Sequence, residues 1–198
     1  MKKIALSTLL IFSLIILPGC FGGDDNDNSN SDGPPETEII TFYRLVDSSE
    51  FTIQVPEDWE TIQTFSSAYP DNTIVAFRNN VQDHDFIANI NVVRNEVEEG
   101  LSSEDYALEM FESVSEQVVN FKKIDEEEYD LYVGNTLDPT YIYEFEGSND
   151  TTVEPRHFVQ LYGVSGTNGY IVTGTYDGSD TELAIDQISQ SIRTFYLK

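Results

Sequence analysis

Hydrophobic side chains recur along the chain with two different periods, which together predict a domain of strands and helices. Residues 51–55 alternate between apolar and polar side chains, as a strand with one buried face does. Short apolar and aromatic runs separated by polar turns predict further strands at residues 40–46, 73–78, 86–94, 129–133, 140–145, 157–164 and 170–176. The last two are joined by residues 165–169, whose Asn168-Gly169 is a turn signal typical of a hairpin.

Two segments have the spacing of amphipathic helices instead. The first begins at Ser102 and carries an apolar stripe at Ala107, Met110, Phe111, Val114, Val118 and Phe121. The second begins at a capping box formed by Ser179 and Glu182, and its apolar stripe consists of Ile185, Ile188, Ile192 and Phe195. Strands grouped between two core-facing helices predict an α+β domain, with a central antiparallel β-sheet flanked by two main helices.

The N-terminus carries the features of a secretory signal. Two lysines precede an apolar run at residues 4–17, which is shorter than the roughly 20 residues that span a bilayer. The run ends at Leu17-Pro18-Gly19-Cys20, which resembles the lipobox of prokaryotic lipoproteins, with Pro in a place that usually holds Ala, Ser or Thr. We therefore predict a lipoprotein signal peptide at residues 1–19 and a lipid-modified, palmitate-bearing Cys20. The alternative is an uncleaved membrane anchor in which Cys20 is an ordinary thiol.

The segment after this cysteine has the composition of a flexible linker. Residues 20–38 are rich in Gly, Asp, Asn and Ser and offer little apolar surface to bury, so we predict a disordered acidic tether. Its Asp/Asn alternation does not match a calcium loop, because no register supplies the required acid, Gly and Glu positions. The folded domain is predicted at residues 39–198. This organisation places the domain on the extracytoplasmic face of the cell membrane, held there by the lipid on Cys20.

The charge balance excludes one class of partner. The chain has 36 acidic and 10 basic residues, and its formal net charge is -26 at pH 7. Such an acidic surface repels nucleic acid, so we expect no nucleic-acid partner. The single cysteine excludes an internal disulfide, and acylation of that residue leaves no thiol for cysteine chemistry.

The order of the core segments resembles the PsbP-like family. The matching pieces are Phe51-x-Ile-x-Val-Pro-x-x-Trp59, Thr73-Ile-Val-Ala-Phe77, Ile90-Asn-Val92, Gly169-Tyr-Ile-Val-Thr173 and Ile188-x-x-Ser-Ile-x-Thr-Phe195. The resemblance covers residues 40–196 and implies an α/β/α sandwich with a central antiparallel sheet. It also implies a non-catalytic binding or accessory protein, and no catalytic residue carries over because the matched positions are core residues. The lipobox and tether point to a general cell-envelope protein.

The two histidines suggest one candidate metal site. His84 lies between Asp83 and Asp85, and His157 lies in a later segment. If the two segments converge, imidazole nitrogens and carboxylate oxygens suit a divalent metal. The alternative is that these are solvated loop residues, since no short ligand spacing links them.

A run of acids suggests a second candidate site. Asp125, Glu126, Glu127 and Glu128 form the densest acidic cluster of the predicted domain. Crowded carboxylates can gather Ca²⁺ weakly or meet a basic partner. The alternative is a solvated acidic turn following two lysines.

Familiar catalytic motifs are absent from the sequence. It has no Gly-x-Ser-x-Gly elbow, no His-Glu-x-x-His and no Gly-Lys-Ser/Thr phosphate loop. We therefore predict a non-enzymatic binding or accessory module, without a cofactor, that is anchored to the membrane and meets another envelope protein. The alternative is a protein that binds a small ligand or a divalent cation such as Ca²⁺, and an unrecognised hydrolase ranks behind both.

Overall fold

The computed structural model describes residues 41–65, 69–80 and 86–198. Within these residues, helices α1 and α2 span Ser103–Gln117 and Glu182–Arg193. The strands form one sheet: β1 Tyr43–Asp47, β2 Phe51–Pro56, β3 Glu60–Ile62, β4 Thr73–Arg78, β5 Asn89–Glu96, β6 Val119–Val133, β7 Thr136–Ser148, β8 Arg156–Ser165, β9 Asn168–Tyr176 and β10 Tyr196–Leu197.

The sheet is mixed, although almost all of its neighbours are antiparallel. Its strand order is β1-β2-β10-β6-β7-β8-β9-β5-β4-β3. Only the short contact between β10 and β6 is parallel among the described strands. The two ends of the folded region therefore meet in the sheet, because β10 lies between β2 and β6.

The two helices pack on opposite faces of the sheet. Successive side chains of a strand point to opposite faces, and β8 shows this division directly. Val159 and Leu161 share a cluster with Ile188 of α2, whereas Tyr162 shares a cluster with Tyr106 of α1. The predicted α+β class, with a sheet and two main helices, is thus confirmed in its broad form. The large mixed sheet dominates the molecule, so the α/β/α sandwich describes it only in part.

Helix α1 ends one turn earlier than its apolar stripe predicts. Val118 is the C-cap in an extended conformation, and Asn120 has φ 56, so the chain turns out of the helix and enters β6. β-branched Val residues and pairing with β7 favour the strand at this point. Phe121 still packs beside Phe111, with ring centroids 5.7 Å apart. The end of the predicted stripe therefore supplies core contacts from a strand.

Helix α2 begins later than the predicted capping box. The Thr181 hydroxyl accepts the backbone N–H three residues later at 3.2 Å and is the N-cap. Ser179 lies in the preceding loop, where its N–H and hydroxyl donate to the Asp177 carboxylate at 2.8 and 2.6 Å. The predicted cap is therefore wrong, because this local Asp177 turn uses the serine. The predicted apolar face is buried at Ile188 and Ile192.

The hairpin between β8 and β9 turns at residues 166–167, within the predicted connection but two residues before its Asn-Gly signal. Gly166 has φ 63, a conformation that glycine adopts without strain, while Asn168 and Gly169 already pair within β9. A Cβ at Gly169 would lie 2.6 Å from Cζ of Tyr106. That glycine therefore permits close packing of α1 on the sheet.

The N-terminal predictions concern residues outside the described ranges. Residues 1–40 are not among the described residues, so the signal peptide, lipidation of Cys20 and the tether stay predictions, as does the domain start at residue 39. No helix in the described part of the chain is both long and apolar enough to cross a membrane.

Candidate functional surface around strand β6

The acidic cluster lies in the middle of a long strand. β6 pairs with β7 along nearly its whole length, from Val119 opposite Ser148 to Val133 opposite Thr136. The alternative of an acidic turn is therefore wrong. A strand exposed on both faces needs no apolar alternation, so its sequence resembled a loop.

The strand divides the four predicted carboxylates between the two faces of the sheet. Glu127 is on the face covered by α2, where it bonds to Arg193 at the end of that helix. Because side chains alternate, Asp125 shares this face, and Glu126 and Glu128 lie on the α1 face. Only half of the predicted cluster can therefore act together at one surface.

Glu127 forms a bidentate ion pair with Arg193. Arg193 Nη1 donates to Glu127 Oε1 at 2.7 Å, and Nη2 donates to Oε2 at 2.5 Å. This hydrogen-bonded guanidinium lowers the pKa of Glu127, and the carboxylate raises the pKa of Arg193. The Tyr129 hydroxyl also donates to the Arg193 carbonyl at 2.6 Å. The pair therefore ties the end of α2 to β6.

Glu144 of β7 lies opposite Asp125 on the same face. Partial burial raises its pKa, and the neighbouring negative charge of Asp125 raises it further. Arg193 and His157 act in the opposite direction but more weakly than these causes combined. The carboxylates on the α2 face are therefore crowded, and the nearby basic side chains neutralise them only in part.

His157 lies on β8 beside this carboxylate group. Its ring stacks on Tyr176 at a centroid distance of 4.9 Å, and its Nδ1 is 3.8 Å from Glu146 Oε1. Lys122 Nζ donates to the other oxygen of Glu146 at 3.2 Å. The structure therefore brings His157 near one end of the acidic cluster, through Glu146 and Glu144.

The remaining residues of the predicted metal site lie outside the described ranges. Asp83, His84 and Asp85 fall in the undescribed segment 81–85. Within the described ranges, no three His, Cys, Asp or Glu side chains are grouped so that they could hold a metal ion. The convergence of His84 with His157 stays a prediction.

Sequence reasoning missed the partners that β7 and α2 contribute to this surface. Glu144 and Glu146 alternate with the buried aromatic side chains of Tyr143 and Phe145. That period-two pattern was the available signal for a polar row on one face of the strand. Arg193 had no comparable signal, because its contact with β6 spans 66 positions of sequence.

β6 is paired on only one side along most of its length. On the other side, its one described neighbour is the two-residue β10, which pairs at Val133. Residues 119–132 therefore form an open edge in the described sheet. Open edges can pair with another chain, and charged side chains commonly protect them from doing so indiscriminately.

This chain is similar to known proteins in its fold and not in its sequence. No family model and no curated protein matches the chain. The solution structure of cyanobacterial PsbP (CyanoP) from Synechocystis sp. PCC 6803 superposes with a TM-score of 0.54 at 12% identity, covering 84% of this chain and 99% of that one. The crystal structure of LpqN, involved in cell envelope biogenesis of Mycobacterium tuberculosis, gives 0.50 at 11% identity, covering 79% and 91%. The chain has a PsbP-like fold, which confirms the resemblance seen in its sequence.

Proposed function

We propose that this chain is a membrane-anchored lipoprotein of the cell envelope, and that its PsbP-like domain is a non-catalytic binding or accessory module. The observation that carries the proposal is a lipobox-like sequence ending at Cys20, followed by an acidic linker and a folded domain. Such a signal directs export, and the lipid then holds the domain at the extracytoplasmic face of the membrane. A linker of this length gives the domain a reach of about 20–25 Å.

The envelope role draws support from one structural neighbour. LpqN, with which the chain shares its fold, is described as involved in cell envelope biogenesis. We extend to this chain the location and the general role, and no particular partner.

The side chains around β6 favour recognition over catalysis. Carboxylates on both faces are held by cations: Glu127 by Arg193, and Glu126 by Lys123 at 2.8 Å. General-base catalysis instead requires a carboxylate or imidazole within reach of a substrate proton. An acidic, ordered and exposed surface suits electrostatic recognition of a basic partner in the envelope.

The anchor is tested by expressing the chain with its own signal in a bacterial host and supplying a clickable fatty acid. The wild type is expected to carry the label and to partition into detergent, whereas Cys20→Ser loses both properties. Ser31→Ala in the linker is the matched control and keeps both. An unlabelled wild type in the aqueous fraction, or a labelled Cys20→Ser variant, contradicts the proposal.

A divalent-cation binding protein is the second proposal, and it is favoured by the register that places Asp125 directly opposite Glu144 on the α2 face. A cation such as Ca²⁺ bound between the two carboxylates would relieve their repulsion, and its binding would be weak because no three such ligands are grouped among the described residues. Adding Ca²⁺ should raise the melting temperature more than Mg²⁺ at equal ionic strength, and Asp125→Asn with Glu144→Gln should remove the difference. The control pair Glu109→Gln with Glu112→Gln should keep it. Equal melting temperatures with and without Ca²⁺ count against this function.

A further inference from the structure

The open edge of β6 presents backbone groups in a regular row. Asp130 faces Pro139 of β7, which has no N–H to donate to it. In an antiparallel ladder, alternate residues bond to the partner strand and the others direct their N–H and C=O groups away. The two-residue hairpin closes on a bonded pair at Val133, so Asp130 belongs to the outward set.

Two further acidic residues belong to the same outward set. The register runs without a shift from Asp125 to Val133, so Glu126 and Glu128 direct their backbone groups outward like Asp130. All three side chains are exposed, and they share the α1 face of the sheet. No described strand lies along this stretch. The edge therefore offers a ladder of hydrogen-bonding groups with a carboxylate at every second position.

Charge limits which chain can occupy such an edge. A strand added beside β6 places its side chains about 4.5–5.5 Å from those directly opposite, where like charges are destabilising and opposite charges stabilise. A second copy pairing through β6 would place acids against acids. The chain's own residues 20–38 contain acids and no Lys or Arg, so they are repelled as well. A basic segment from another protein is the occupant that complements the edge.

We propose that the outer edge of β6 binds an extended segment of another envelope protein that carries Lys or Arg at every second position. The segment adds a strand beside Glu126, Glu128 and Asp130, so main-chain hydrogen bonds supply affinity and the alternate basic side chains supply specificity. This inference rests on the proposed function as a binding module, and it names the surface and the chemistry of the partner.

Two synthetic peptides of identical composition test the geometry. The first is acetyl-Lys-Thr-Lys-Val-Lys-Thr-amide, and the second is its block isomer acetyl-Lys-Lys-Lys-Thr-Val-Thr-amide. Binding to the full chain in neutral detergent micelles is measured by isothermal titration calorimetry at low salt. The alternating peptide is expected to bind at least about tenfold more tightly, because only its lysines all face one side of a strand. Equal affinities overturn the proposal, since they indicate attraction to net charge alone.

Matched variants locate the binding site. Glu126→Gln with Glu128→Gln and Asp130→Asn should weaken binding of the alternating peptide by about tenfold or more. Glu109→Gln with Glu112→Gln and Glu116→Gln changes the net charge equally on exposed positions of α1, and should alter affinity by less than about twofold. Equal losses in the two triple variants overturn the assignment to β6.

Two variants at one position separate strand addition from attraction between side chains. Glu128→Pro and Glu128→Gln both remove the carboxylate, but only the proline also removes an outward N–H, and proline is tolerated at an edge without loss of the ladder to β7. The proline variant should bind the alternating peptide more weakly than Glu128→Gln, with circular dichroism and melting temperature serving as the check on folding. If the proline variant folds and binds as well as Glu128→Gln, the proposed strand addition is wrong.

The outcome is independent of the membrane anchor. Failure of the alternating peptide overturns the edge proposal while fatty-acid labelling of Cys20 can still succeed. Conversely, loss of the labelling result removes the envelope anchor while the peptide measurements still report on β6.

Discussion

Strands β8 and β6 lie two positions apart in the same sheet, yet they are stabilised in opposite ways. β8 is paired with β7 on one side and β9 on the other, and its residues from Phe158 to Val164 are buried on both faces. β6 is paired on one side, carries charged residues along its centre, and is buried fully only at Leu131.

The position of a strand in the sheet therefore determines what stabilises it and which side chains it can carry. A central strand is held by packing from both helices, so its side chains are constrained by shape. An edge strand is held mainly by its backbone ladder and is free to carry charge. The acidic surface of this protein can therefore change with little effect on the fold that presents it.

The largest expected contrast is between a core and a surface truncation. Leu161 of β8 is fully buried, and Leu161→Ala should lower the free energy of unfolding by about 2–5 kcal/mol. Glu128→Ala on β6 should change it by no more than about 0.5 kcal/mol, because the side chain is exposed. Urea denaturation of both variants provides the measurement. Similar destabilisation by the two variants would contradict the view that β8 is held by packing and β6 mainly by its backbone ladder.

The next largest effect on the free energy of unfolding is expected from a buried set of hydrogen bonds that joins β8 and β9. The Tyr162 hydroxyl donates to Gln160 Oε1 at 2.5 Å, and Gln160 Nε2 donates to Thr173 Oγ1 at 3.0 Å. Gln160→Met leaves these hydroxyls without a buried partner and should cost about 1–3 kcal/mol. Adding Tyr162→Phe removes one orphaned hydroxyl, so the double variant should cost less than the sum of the single variants. Additive losses in this double-mutant cycle would show that the group is not coupled.

The smallest expected effects on stability come from Glu127 of β6 and Glu144 of β7, and they are opposite in sign. The lowered pKa of Glu127 means that its ionised form stabilises the folded state above the ordinary glutamate pKa, and this contribution is lost as pH falls through the lowered value. The raised pKa of Glu144 means that its ionisation destabilises the folded state at neutral pH, and this cost disappears below the ordinary pKa.

Glutamine substitutions should therefore distinguish the stabilising carboxylate of Glu127 from the destabilising carboxylate of Glu144. At neutral pH, Glu127→Gln should lower stability and Glu144→Gln should raise it, each by less than about 1 kcal/mol because both side chains are only partly buried and solvent screens their charges. Both differences from the wild type should vanish at acidic pH. Denaturant midpoints at several pH values give the measurement, and shifts of the same sign in both variants would contradict it.

Sequence patterns predicted the elements that carry a strong local signal. Strand β4 has the predicted bounds, Thr73–Arg78, because a short, largely buried run begins there with the β-branched residues at positions 73–75. The start of α1 also follows its signal, since the Ser102 hydroxyl accepts the Asp105 N–H at 3.0 Å. Trp59, one of the matched positions that the PsbP-like resemblance places in the core, is 2% exposed, which confirms that prediction.

The elements that sequence reasoning missed depend on tertiary pairing. β3 and β10 are only three and two residues long, and they exist because β3 pairs with the next strand, β4, and β10 pairs with the distant β2. The acidic part of β6 carries no apolar alternation, so its strand conformation comes from the hairpin with β7. The candidate surface was predicted in part, through Asp125, Glu127 and His157, but their grouping depends on Glu144 and Arg193 from other elements.

Amide hydrogen exchange, resolved residue by residue, tests most directly whether β6 is an open edge beside a closed core. The amides of Glu126, Glu128 and Asp130 should exchange rapidly, whereas those of Glu127 and Tyr129 should be protected by their bonds to β7. The amides of β8 from Phe158 to Val164 should all be protected. Uniform protection along β6 would show that its outer edge is already paired, and would contradict its assignment as an open edge.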